Sequence, residues 1–126
     1  MQSFNNRILI LYFSGNPATT IIIQYAPVEG STDAENHHYQ NLSSVINDSP
    51  KLNVLIVHGD FNAHIGNRYA QHTYHKDTNS NRQHLLDLAL ERNLVITNTT
   101  FQKKSGTIWT YLSDMTGHKS QIDSYL

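Results

Sequence analysis

Val54-Leu55-Ile56-Val57-His58-Gly59-Asp60-Phe61-Asn62-Ala63-His64-Ile65-Gly66 decides how this chain is read. Its four opening apolar residues, with no polar alternation, predict a buried strand. The Gly-Asp-x-Asn that follows sets a carboxylate and a carboxamide at the strand tip. Asp60 and Asn62 are two apart, so in extended backbone both side chains leave the same face. That pairing suits metal-assisted attack of water on a phosphate. The carboxylate accepts a proton or touches a hard cation, and the amide donates to a phosphate oxygen.

Working outward, residues 7–13 are apolar and read as a strand, and Ser14-Gly15-Asn16-Pro17 signals a turn. Residues 19–25 are rich in β-branched side chains and read as the returning strand of a hairpin, ended by Ala26-Pro27. Tyr39, Leu42, Val45 and Ile46 form a helical stripe within 34–47, which Pro50 closes. A strand over 52–57 precedes the Gly-Asp-Phe-Asn turn. Residues 67–81 are polar and aperiodic, and predict a long loop. Residues 82–92 predict a helix with Leu85, Leu86, Leu88 and Ala89 inward, capped by Ser80 or Asn81. Short strands are expected at 94–97, at 107–112 with Trp109, and at 121–126, with a loop at 101–106 and a turn at 114–117. Strands alternating with helices predict an α/β fold, with some antiparallel pairing from the hairpin.

The chain has 126 residues, the size of one domain, enough to bury ~65–70% of the surface its unfolded form exposes. Its longest apolar run, Ile8 to Phe13, is far short of the ~20 residues that span a bilayer, and the first residues lack the pattern of a signal peptide. There is no cysteine, so a disulfide-linked partner and thiolate metal sites are excluded, and an intracellular location, nucleus or cytoplasm, is expected. The formal net charge of −1 argues against a module that holds nucleic acid by charge alone. It argues less against a phosphodiesterase, because bound Mg²⁺ brings positive charge to the site.

Four segments together resemble the endonuclease/exonuclease/phosphatase family. Gln24-Tyr25-Ala26-Pro27 matches its Tyr-x-Pro segment, and Gly59-Asp60-Phe61-Asn62-Ala63 its central signature. Ile96-Thr97-Asn98-Thr99-Thr100-Phe101 resembles the segment before its tryptophan. Trp109-Thr110-Tyr111 with Gln121-Ile122-Asp123 resembles its Trp-Thr and Gln-Ile-Asp pair. Within the family they look most like the endonuclease domain of non-LTR retrotransposons, including the related craniofacial development protein 2-like proteins. The resemblance runs from about residue 17 to the end. It implies a four-layer α/β sandwich, two mixed β-sheets flanked by helices, and hydrolysis of DNA phosphodiesters with Mg²⁺ or Mn²⁺.

Members of that family also carry an Asn and a metal-binding Glu in an earlier half, and close on Ser-Asp-His. Neither feature stands here, Ser124 replaces the usual Tyr, and Arg82 replaces a Gly. The expectation is therefore an incomplete domain over 1–126, its middle and C-terminal part, weakly stable and prone to aggregate through an exposed apolar face.

The resemblance assigns four catalytic residues. Asp60 orients or deprotonates the attacking water, and Asn62 donates to a phosphate oxygen. Asp60 and Asn62 are also the metal contacts. Tyr25 turns its hydroxyl to the scissile phosphate, and Asp123 orients the closing His in relatives. Each has a plainer reading from residue type alone: turn-forming Asp and Asn, a half-buried strand tyrosine, a solvated terminal carboxylate. Trp109 fits base stacking or a core equally. His72-x-x-His75 lacks the partners of a zinc site, and Lys103-Lys104, Arg82 and Arg92 are too dispersed for a binding face. The rivals to a DNA endonuclease are a catalytically inactive fragment and a non-enzymatic partner-binding remnant.

Overall fold

A pair of apolar, β-branched runs hydrogen-bonds side by side to open the fold: β2 (Ile8–Phe13) and β3 (Thr19–Tyr25) pair antiparallel from Ile8↔Gln24 to Phe13↔Thr19. The computed structural model describes residues 1–28, 30, 32–63, 81–97, 111–112, 119–120 and 123–126. A preceding strand, β1 (Gln2–Asn5), pairs antiparallel with the outer side of β2. Helix α1 (Thr32–Asp48) then carries the chain over to β4 (Val54–Asp60), which lies parallel to β3. This β-α-β crossover is the connection that parallel strands require. Helix α2 (Asn81–Glu91) follows, then the short strands β5 (Tyr111–Leu112), β6 (Lys119–Ser120) and β7 (Asp123–Tyr125). The main sheet is mixed and five-stranded, in the order β1-β2-β3-β4-β7, and β5 and β6 form a separate antiparallel pair.

The core lies between one sheet face and the two helices. Ile8, Ile10, Ile22 and Val57 join Tyr39, Leu42, Val45 and Ile46 of α1 and Leu85, Leu88 and Ala89 of α2 in one buried cluster. The stripe expected on each helix is therefore the stripe that packs. Acidic Asp33 and Glu35 in the first turn of α1 complement its macrodipole. Ser49 Oγ donates to the Val45 carbonyl at its other end. On the opposite sheet face, Ile23, Tyr25 and Val54 remain exposed.

The structure departs from expectation in several places. Strand β1 was invisible in sequence because it is an exposed edge without apolar alternation. Residues 94–97 form no strand: Leu94 N–H bonds to the Ala89 carbonyl at 2.8 Å and Asn93 takes a positive φ of 53°, so residues 93 and 94 end α2. Strand β4 begins at Val54, because residues 51–53 turn, with Asn53 N–H bonding the Pro50 carbonyl. It also runs on through Gly59-Asp60, past the expected end at Val57. The expected features at 67–80, 101–110, 114–117 and 121–122, with His72, His75, Lys103, Lys104 and Trp109, lie outside the described residues. Among the described residues no helix is long and apolar enough to cross a membrane.

Candidate functional site

Register brings the sequence-predicted residues to one end of the sheet. Tyr25 pairs with Asp60 across β3 and β4, and Asp60 pairs with Asp123 across β4 and β7. Tyr25 and Asp60, directly opposed on neighbouring strands, share a face about 5 Å apart. This is the face away from the helices, since Gln24 and Gly59, one residue earlier on each strand, are buried beneath. Tyr25 is half exposed there, at 50%.

Gly59 makes this pairing possible. Its φ is +141°, and a Cβ added to it would lie 1.9 Å from the Gln24 carbonyl oxygen. Only glycine lets β4 approach β3 so closely at the tip. Phe61 then plunges into the core with no exposure, anchored also by the Tyr39 hydroxyl, which donates to the Phe61 carbonyl at 3.3 Å. Burial, with the carboxylates of Glu35 and Asp60 nearby, pushes the Tyr39 phenol well above its usual range, so it stays a donor.

Asn62 does not continue the strand. Its φ is +47°, a left-handed conformation that Asn tolerates. The expectation that Asp60 and Asn62 project in parallel from extended backbone therefore fails in its premise. Asp60 Oδ1 instead accepts the Asn62 backbone N–H at 2.8 Å, closing an Asx turn. Asn62 Nδ2 turns back to donate to the Ala26 carbonyl at 2.9 Å, while Ala26 N–H bonds the Asp60 carbonyl at 2.8 Å. The segments after β3 and β4 are thus stitched together.

Two residues beside this row were not singled out in the sequence. Arg7 continues the register opposite Tyr25: Tyr25 N–H donates to the Arg7 carbonyl at 3.0 Å. The Arg7 guanidinium donates to the Tyr25 carbonyl at 3.3 Å and lies 5.3 Å from the centre of its ring. Hairpin counting from the Phe13–Thr19 pair would have found it. Asn81, expected only as a possible cap, is wholly buried. Its Nδ2 donates to the Pro27 carbonyl at 3.2 Å and the Asn62 carbonyl at 3.3 Å, and its Oδ1 has no partner among the described residues. It does not cap α2.

Beneath the site, His38 Nε2 and Gln24 Oε1 lie 2.9 Å apart, both buried. Burial, assisted by the positive charge of Arg7, lowers the His38 pKa from 6.5 to about 4. His38 is therefore neutral near pH 7, and because the Gln24 oxygen accepts, Nε2 carries the proton. Among the described residues, no group of three or more His, Asp or Glu is placed to hold a metal ion.

The arrangement offers a cation (Arg7), a phenol (Tyr25), a carboxylate (Asp60) and a carboxamide (Asn62) along one edge, with the backbone of Asp123 next in line. No family model matches the chain. It is similar to Craniofacial development protein 2 of Bos taurus, 30% identical over 125 aligned residues that cover 94% of this chain and 21% of the relative. The protein of the same name from Tragulus javanicus is also 30% identical over 125 residues, covering 94% of this chain and 22% of the relative. The chain thus spans about a fifth of the length of the curated relatives it matches.

Proposed function

We propose that this chain is part of an endonuclease/exonuclease/phosphatase domain that hydrolyses DNA phosphodiesters. The observation that carries the reading is the register row Tyr25–Asp60–Asp123 at one sheet end, with Asn62 one turn beyond and Arg7 beside Tyr25. In this reading Asp60 orients the attacking water and takes its proton. The Asn62 amide and the Tyr25 hydroxyl donate to oxygens of the phosphate as charge builds there. Water attacks phosphorus in line, the P–O bond to the leaving 3′-oxygen breaks, and that oxygen gains a proton to leave a 3′-hydroxyl.

The donor set fits a hard divalent cation. Mg²⁺ commonly binds through one or two carboxylates and keeps several waters. Asp60 brings a carboxylate to the end of β4, and Asn62, one Asx turn on, brings an amide oxygen, both hard oxygen donors. Asp60 and Asn62 would hold Mg²⁺ or Mn²⁺, which supplies neutralisation of the charge developing on the phosphate. The reading extends to the architecture. The five-stranded sheet is one of two in a four-layer α/β sandwich, and the face bearing Leu9, Leu11, Ile21 and Ile56 receives the second sheet.

The test is nicking of supercoiled plasmid in Mg²⁺, with Asp60→Ala as the control. Loss of a general base predicts a fall of about 10²–10⁴-fold in the variant. An equal background in both proteins would refute hydrolysis by this chain and favour an inactive fragment.

A further inference from the structure

We propose that Asn81 is the positioning residue of this site: its carboxamide fixes the segment after β3 against the segment after β4. The inference rests on the hydrolytic reading above. Asn81 is 0% exposed at the head of α2. One nitrogen, with two N–H groups, donates to carbonyls from two separate segments, Pro27 at 3.2 Å and Asn62 at 3.3 Å. Those segments directly follow Tyr25 and Asp60.

The orientation of the amide is dictated by these two acceptors. A flipped amide would point Oδ1 at two carbonyl oxygens. As it stands, Oδ1 is buried with no partner among the described residues, so the side chain is not arranged to satisfy itself. An asparagine serving α2 would turn that oxygen to the first-turn N–H groups. Asn81 instead gives up its acceptor and spends both donors on the site segments. One of those segments carries Asn62, whose left-handed φ of 47° sets the direction of the turn. The Asn62–Ala26 bond at 2.9 Å and the Ala26–Asp60 bond at 2.8 Å also tie the two strand ends together. With Asn81 in place, the Asn62 and Pro27 carbonyls are held to one nitrogen; without it, that link between the two segments is lost.

Asn81 touches no reacting atom, so its removal affects turnover rather than DNA binding. Plasmid nicking by Asn81→Ala is expected to show kcat lower by about 10–100-fold, the scale of a misplacement near 1 Å, with KM within about twofold. In an Asn62→Ala background the same substitution should add less than about threefold, because the group it positions is gone. Amide hydrogen exchange gives a second readout: the Asn62 N–H should exchange at least about tenfold faster in Asn81→Ala, while Ile22 and Val57 stay protected. Asn81→Ser, which keeps one donor, carries the same comparisons if Asn81→Ala does not fold. Unchanged kcat, full additivity with Asn62→Ala, or an Asn62 amide exchanging as in the wild type would overturn the proposal. If the wild-type chain shows no Asp60-dependent nicking, the hydrolytic reading falls separately. The exchange rate of the Asn62 amide then decides alone: local acceleration supports the role of Asn81, and no change refutes it.

Discussion

Acidification should destabilise this protein through one histidine. His38 is 3% exposed, faces Gln24 Oε1 at 2.9 Å, and has a pKa lowered from 6.5 to about 4 by burial and by Arg7. A depressed histidine pKa means that the unfolded chain binds the proton more readily than the folded one. The associated stability is complete above pH 6.5 and is lost as the pH falls toward about 4. Near pH 5 the unfolded imidazole is almost fully charged and the folded one about one-tenth charged. The difference is about 2 kcal/mol, rising to about 3 kcal/mol at the acid limit. Against a typical total of ~5–15 kcal/mol this is a large fraction. Urea unfolding followed by circular dichroism, from about pH 8 to about pH 5, gives the measurement. With an m-value near ~2 kcal/mol/M the midpoint should drop by about 1 M more in the wild type than in His38→Gln, which keeps an amide donor for Gln24 but cannot titrate. The other seven histidines are common to both proteins and cancel. Parallel pH profiles would show that His38 is not held neutral, and the reasoning would fail.

Two further substitutions probe the tip of the sheet. Gly59→Ala forces a Cβ to within 1.9 Å of the Gln24 carbonyl oxygen at a φ of +141°, so overpacking and backbone strain together should cost about 4 kcal/mol; a thermal melt close to the wild type would contradict this. Tyr39→Phe removes the 3.3 Å bond to the Phe61 carbonyl, and an expected loss of about 1 kcal/mol should lower Tm by about 4 °C in a calorimetric scan. No shift would mean that Phe61 alone anchors the turn.

What the sequence disclosed follows from where information about packing resides. Tyr39, Leu42, Val45 and Ile46 were legible as a stripe because burial on one helix face imposes a 3.6-residue period, and all four are in the core. The β2–β3 hairpin was legible from its β-branched runs and the Gly-Asn-Pro turn. Residues 94–97 misled for the same reason: Leu-Val-Ile-Thr has strand composition, but residues 93 and 94 end α2. Tyr25 and Asp60 were recognisable from their segments, and register sets them side by side. Arg7 was within reach of hairpin counting, whereas Asn81 was not recognisable, because it draws its place from Pro27 and Asn62, far away in sequence. A lone arginine or asparagine carries no periodic signal.

The plain reading of Gly-Asp-Phe-Asn, a turn after a buried strand, is also realised: Asp60 Oδ1 accepts the Asn62 N–H as an ordinary Asx turn does. A turn alone, however, requires none of the features that surround this one. It requires no glycine whose neighbour sits where a Cβ would be, no buried phenol bound to the carbonyl between Asp60 and Asn62, and no asparagine whose buried oxygen has no partner among the described residues. Each of these holds the turn in one orientation relative to Tyr25, and none is needed merely to reverse the chain. Features that fix direction beyond what a chain reversal needs belong where direction matters, as it does when a carboxylate, an amide and a phenol must meet one phosphate. The hydrolytic reading therefore rests on the rigidity of the tip as much as on the identity of its residues.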